Sequence, residues 1–544
     1  MKKIAILVFF TVGFFVHVWA CTGLIAGKQA TVDGSVLVTY SADSHTLYGA
    51  LTSSPAADWP KGSMRSIVEW DTNKPLGEIE QVEHTYAVIG NMNEHQLTVV
   101  ESTWGGRPEL VDTTGIIDYG SLMQLALERA KTAREAIKVM TGLVKKYGYY
   151  SSGESFTIAD PNEAWILDLI GKGPGRRGAV WVAVRIPDDC IAGHANYPRI
   201  HKIPMDDKEN CLYSPDVISF AREMGYFDGL NKDFSFADAY APADFGALRG
   251  CEARVWSFYN RFNSSMGKYL SYLNGKSKEY LPLYIKPDKK LSVQDMKDAM
   301  RDHFEGTPFD MTQDVGAGPF KCPYRFRPMT FKVDSVEYTN ERAVATQQTA
   351  FTLVAQMRSW LPNAIGGVLW FGVDDTNTCV YVPLYACLNE VPECYSELNG
   401  SMYDLSWTSA FWIHNWVANM SYSRYDQMIE DIRPVQKDIE TTFYVQQPVI
   451  EKVANDLYRN DPVAAIRFLN AYSVAQAQQT TVQWKKLGEF LLVKYLDGNR
   501  KKEKGGHFLE NGYGLPADPD FPGYSEEYYR AVAKDAGDRL KVAF

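Results

Sequence analysis

The sequence lacks most of what usually announces a hydrolase or a binding module. There is no G-x-S-x-G elbow presenting a serine, no phosphate-cradling P-loop and no H-E-x-x-H helix for zinc. Histidine is scarce, nine in 544 residues, and unclustered. No two of the eight cysteines have zinc-knuckle spacing, so neither a metal nor a cofactor is expected. Basic runs interleaved with aromatics are missing too, and a formal net charge of -10 offers nucleic acid or an anionic membrane nothing to hold. Repeats, low-complexity linkers and later transmembrane-length apolar runs are also absent. Gly173, Gly175 and Gly178 mimic a dinucleotide-binding loop, but Pro174, Arg176 and Arg177 interrupt them and a strand follows. Phosphate binding needs a helix N-terminus there, so they read as a hairpin loop.

What is present is a large folded chain with a distinctive start. Hydrophobic residues at 45% against charged residues at 22% place it among globular proteins, far from disorder. Lys2 and Lys3 precede an apolar stretch from Ile4 to Val16, and Val18 and Ala20 stand three residues and one residue before a cleavage point. That pattern predicts a signal peptide over residues 1–20, too short to span a bilayer comfortably, with the mature protein periplasmic or secreted and not stably inserted in a membrane. For an exported protein of this size the cysteines are sparse. If Cys21 stays a free thiol, seven remain, so pairing within the chain leaves at least one more unbridged.

Directly after the cleavage point, Cys21 to Ala26 reads as a strand, Asp33 and Gly34 as a hairpin turn, and Val36 to Tyr40 as the returning strand. His84 to Val100 repeats the pattern, with Asn91 to Gln96 as the turn. Apolar residues at helical spacing from Tyr119 to Tyr147 predict two helices, with Thr132 and Glu135 placed as a capping box between them. Phe156 to Leu169 reads as a hairpin turning at Asp160 to Asn162, Val180 to Ile186 as a strand, and Pro462 to Tyr495 as helix. Strands, helices, then strands again imply an α+β layered fold. Nothing in the sequence specifies an oligomeric state.

Cys21 is the residue that carries chemistry. As the first residue of a processed chain it would hold a thiol and a free α-amine together, and an amine with a reference pKa near ~8 can accept the thiol proton without any histidine. Two other readings compete: a lipoprotein acylated at Cys21, against which bulky Trp19 and Val18 argue, or a small buried strand residue.

A long ordered set of motifs bears on that choice. It runs Cys21 to Gly27, Asp33-Gly34-Ser35, Asp43-Ser44, Asn93-Glu94-His95, Glu101-Ser102-Thr103, His194 to Pro198 and Arg254-Val255-Trp256. It continues with His303 to Asp310, Gly316 to Arg325 and Phe411 to Asn419. The set resembles the N-terminal-cysteine dipeptidases of the dipeptidase A type, within the N-terminal-nucleophile hydrolases, from Cys21 to about Tyr425. The opening run is also similar to bile salt hydrolases and penicillin V acylases.

The resemblance implies an αββα sandwich over residues 21–425, and helical periodicity beyond Asp426 adds a largely helical C-terminal region over 426–544. It implies an exported cysteine-type dipeptidase acting on small peptides, with an N-acyl amide hydrolase or a non-catalytic lipoprotein as the alternatives. By position, Asp43 would hold the Cys21 amine, Asn196 would donate to the oxyanion, and Arg254 would orient Asp43 or the thiolate. Tyr40 stands where many relatives carry an arginine, and so brings a hydrogen bond without a full charge. Glu101 and Thr103 occupy the region where acylase relatives place a second oxyanion donor.

Overall fold

The computed structural model describes residues 21–542; the expected signal segment 1–20 lies outside the described residues. Two antiparallel sheets organise the chain. The first has seven strands in the spatial order Tyr284–Ile285, Ile191–His194, Thr22–Ala26, Val36–Asp43, Thr349–Met357, Val368–Val373 and Val382–Tyr385. The opening strand is therefore central, paired on one side with Ile191–His194 (Gly23 opposite His194) and on the other with Val36–Asp43 (Gly23 opposite Tyr40). Its hairpin is shaped by Asp33, whose Oδ1 accepts from the Ser35 amide at 3.0 Å and the Ser35 hydroxyl at 2.6 Å, and by Gly34 at φ +86°.

The second sheet is built on the meander Thr98–Trp104, Gly153–Ala159, Ala164–Gly171 and Ala179–Ile186, extended at both edges by shorter strands. Its Thr98–Trp104 strand contacts both opening strands of the first sheet. Every residue of Thr22–Ala26 and Val36–Asp43 is buried, because layers cover both faces. An antiparallel strand with one wet face would alternate instead.

Helices Tyr119–Arg129 and Ala133–Tyr147 cover the outer face of the second sheet in a core of their own. Thr132 caps the second helix by accepting from the Glu135 amide at 3.3 Å, while the Glu135 carboxylate reaches the Lys131 amide at 2.8 Å, one residue short of the reciprocal bond a full capping box makes. On the first sheet, helix Ala253–Phe262 packs on Thr22–Ala26 and Ile191–His194, and helix Val293–Met300 on Val36–Asp43 and Thr349–Met357.

Two long helices, Tyr425–Tyr458 and Pro462–Lys494, lie against each other and against Val382–Tyr385, and their Ile432, Phe443, Leu469 and Trp484 belong to the same apolar core as the first sheet. Beyond them the chain is less helical than expected: a two-strand hairpin at 503–508 and one helix, Glu526–Ala536, that buries none of its residues. The glycine loop at 173–178 joins two strands of the meander, all three glycines at positive φ. No disulfide forms among the described residues, and no helix among them is long and apolar enough to cross a membrane.

Candidate active site

Strand alternation sorts the first residues between two faces. Cys21, Gly23, Tyr40 and Ala42 face the second sheet, whereas Thr22, Ser41 and Asp43 face the helix side. Gly23 is required there: a Cβ would stand 2.9 Å from the His194 ring, which bridges the two sheets by bonding Ser102 Oγ through Nδ1 at 2.6 Å and Thr157 Oγ1 through Nε2 at 2.8 Å. The Cys21 side chain lies at the end of its strand in a pocket with Tyr40, Asp43 and Glu101.

The sulfur is 3.7 Å from the Tyr40 hydroxyl, which donates to Glu101 Oε1 at 2.5 Å. Burial, then the charges of Glu101 and Asp43, push the thiol well above its usual range, more than the Asp43 amide and the Tyr40 hydroxyl lower it. The thiol therefore needs a proton acceptor before it can attack. Burial also pushes the Glu101 carboxyl up to about 7.

Asp43 is held from the helix side. Arg342 donates to its Oδ2 at 2.5 Å and the Thr349 hydroxyl to its Oδ1 at 2.6 Å, both reached from elsewhere in the sequence. Here the structure departs from expectation, because Arg254 contacts neither Asp43 nor the sulfur. Its Nη1 donates to the Cys21 carbonyl and to Thr22 Oγ1, both at 2.8 Å, its Nη2 to the Ala195 carbonyl at 3.2 Å and Asn196 Oδ1 at 2.8 Å, and its Nε to the Gly250 carbonyl at 2.7 Å. Those bonds use the whole planar fork, and they tie the backbone of Cys21 to the Asn196 loop. Burial and then Arg342 lower its pKa to about 10, which leaves it charged at neutral pH. A π-turn, Ala247–Glu252, leads into its helix, a distortion that often marks functional sites.

Asn196 sits in the left-handed region at φ +57°, which asparagine tolerates better than most residues. With Oδ1 facing Arg254, its Nδ2 points to the Thr98–Trp104 strand and donates to the Thr103 carbonyl at 2.6 Å. The Thr103 hydroxyl, considered as an oxyanion donor, instead donates to Glu154 Oε1 at 2.5 Å, and Thr103 does not line the pocket. Glu101, two residues earlier on the same strand, does.

Several site residues escaped sequence reasoning. Arg342 and Thr349 carry no local motif: strand pairing sets Thr349 opposite Asp43, and Arg342 reaches it from the loop before that strand. Tyr119, on the pocket wall and donating to Asp71 Oδ1 at 2.7 Å, read only as the start of a helix. No group of His, Cys, Asp and Glu among the described residues is arranged to hold a metal ion.

Comparison with known proteins places this geometry in a family. The sequence profile of peptidase family C69 matches residues 20–438. A probable dipeptidase of Latilactobacillus sakei is 25% identical over 427 residues, covering 75% of this chain and 82% of that relative. A probable dipeptidase of Salmonella dublin is 27% identical over 393 residues, with 67% and 81% covered. A probable dipeptidase B of Streptococcus pyogenes serotype M1 is 22% identical over 521 residues, with 89% and 94% covered. Matched over most of its length, and with a cysteine opening the central strand beside the pocket, the chain belongs to peptidase family C69.

Proposed function

We propose that the chain is an exported cysteine-type dipeptidase, activated when removal of residues 1–20 turns the Cys21 nitrogen into a free α-amine. The observation that carries this reading is the pocket itself: Cys21 lines it, and no histidine or lysine among the described residues does. A buried thiol held above its usual range then needs another base, and its own amine is in reach by covalent geometry. In this scheme Asp43, anchored by Arg342 and Thr349, accepts a hydrogen bond from that amine. The amine takes the thiol proton and the thiolate attacks the peptide carbonyl. The same proton then passes to the leaving amine, and water hydrolyses the thioester. The fit of two sheets with helices outside each supports the αββα sandwich of N-terminal-nucleophile hydrolases. The dipeptidase names of the relatives support short peptides as substrates.

The division into a catalytic region 21–425 and a C-terminal region 426–544 belongs to the same proposal, with the two sharing one core. The test is the mass of the active protein together with Cys21→Ala. The expected mature N-terminus is an unmodified Cys21, and the variant is folded with dipeptide hydrolysis lost by at least ~10³-fold. Active protein retaining Ala20 refutes the amine base, an acylated Cys21 the free-amine enzyme in favour of a lipoprotein, and turnover of bile-acid amides in place of dipeptides the substrate class.

A further inference from the structure

One carboxylate in the pocket has no side-chain counter-ion among the described residues, and the Cys21 amine of the scheme above is taken up by Asp43. Glu101 is fully buried, projects from the second sheet toward Cys21, and forms no ion pair with any Lys, Arg or His among the described residues; none of these types lines the pocket either. Its partners are neutral: the Tyr40 hydroxyl at 2.5 Å on Oε1 and the Thr103 hydroxyl at 3.4 Å on Oε2, with the Cys21 thiol also facing it. The titratable groups around it are Cys21, Tyr40, Asp71, Tyr119, Tyr149 and Glu154, which deepen the negative potential or are neutral. Asp43, the other carboxylate in the pocket, is already matched by Arg342. The rest of the wall is largely apolar, with Leu47, Trp70, Met123, Phe351 and Phe371. A buried carboxylate is costly unless paired, and here the place of the partner opens onto the substrate space.

We propose that Glu101 binds the free α-ammonium of the substrate's first residue, whose apolar side chain fills the adjoining wall, so that the enzyme selects unblocked peptides over N-acylated ones. This rests on Cys21 being the nucleophile. The geometry fits: in an α-amino acyl group the nitrogen is about 2.5 Å from the attacked carbon. That carbon must come within about 3–3.5 Å of the sulfur. A single hydroxyl, that of Tyr40, spans the sulfur and Glu101.

The experiment compares Leu-Leu, N-acetyl-Leu-Leu and 4-methylpentanoyl-Leu, the last lacking only the ammonium, on correctly processed wild type and on Glu101→Gln and Glu101→Asp. In wild type, kcat/KM for Leu-Leu should exceed the other two by at least ~10²-fold, as expected when a buried charge is left unpaired. Glu101→Gln should reduce that ratio at least ~10-fold, mostly through the KM of Leu-Leu, with Glu101→Asp between. The ratio in wild type should also fall as pH drops through about 7 and the carboxyl takes up its proton, a dependence Glu101→Gln removes.

Comparable rates on all three substrates overturn the anchor and leave the peptidase reading standing. An equal loss on all three in Glu101→Gln assigns the residue to proton transfer and overturns the anchor as well. No turnover of any substrate by folded, processed wild type overturns both readings. Should Glu101→Gln not fold, the wild-type ratio and its pH dependence decide alone.

Discussion

Replacing His194 by glutamine probes the join between the two sheets directly beneath the strand that follows Cys21. The imidazole bonds Ser102 and Thr157 of the second sheet from its place opposite Gly23 in the first, and burial, then Arg199 and Arg254, push its pKa down to about 3. It is therefore neutral in the folded protein at every working pH. An unfolded histidine takes up its proton near ~6.5, so below that pH the unfolded chain binds a proton that the folded chain refuses. The stability the neutral ring contributes is present above ~6.5 and is lost as pH falls toward about 3, at roughly 1.4 kcal/mol per unit. Glu101, Asp168 and Asp374, raised to about 7, 6 and 8, act in the opposite sense, because their contribution is fully present in acid and lost as pH rises through those values. Comparing wild type with the variant at each pH cancels these carboxyls. At pH 7.5 the variant should be less stable by about 2–4 kcal/mol, from two hydrogen bonds of about 1 kcal/mol each plus imperfect packing. The gap should close by about 2 kcal/mol between pH 6.5 and 5, since only wild type carries the penalty. Thermal and urea midpoints at pH 7.5, 6.5 and 5 measure it. A gap that stays constant across that range refutes the neutral buried imidazole.

Three further substitutions test the supports around Cys21. Arg342→Met strands the Asp43 carboxylate and should cost about 3–5 kcal/mol, whereas Asp43→Asn combined with Arg342→Met should lose less than the two single changes summed; strict additivity in a double-mutant cycle read by denaturant midpoints would show that the pair does not interact. Arg254→Lys keeps the charge but has only three donors for acceptors on Gly250, Cys21, Thr22, Ala195 and Asn196. It should lower kcat/KM by ~10²-fold or more in protein whose circular dichroism is unchanged, and near-wild-type turnover would remove Arg254 from the functional support of Cys21.

Local pattern made some of the structure legible and left the rest invisible. The opening hairpin, the two helices of 119–147 and the helix from Pro462 follow from turn residues and apolar spacing, which act over a few neighbours. His84 to Val100, read as one hairpin, instead holds three two-residue strands and the start of Thr98–Trp104: Gly90 and Gln96 at positive φ make two of the breaks, and His84–Thr85 pairs apart, with Ala57–Asp58. Cys21, Tyr40 and Asp43 stand in one hairpin and were visible together. The guanidinium on Asp43 was not, because Arg342 lies 299 residues away and nothing around it distinguishes it from a surface cation. Arg254 was singled out by its motif, but its partners are backbone carbonyls and side chains fixed only by tertiary packing, so the pattern carried its identity and not its contacts. Thr103 shows the same limit: it shares a strand face with Glu101, but Glu154, directly opposite on the neighbouring strand, takes its hydroxyl.

The central position of the first strand has a consequence for the order of events in synthesis. Thr22–Ala26 leaves the ribosome before almost everything else, yet its support from Arg254 is 233 residues away, and the strand it pairs with is closed by Thr352, whose hydroxyl donates to the carbonyl of Tyr40 312 residues distant. Contacts of such separation form late, since the loops they close must be paid in entropy before any pairing repays it. The pocket thus has no existence in a partly made chain, and on the export route proposed above the polypeptide stays threadable until its length is nearly complete. The Cys21 end of the chain, early in sequence, is in time among the last parts of the pocket to be assembled.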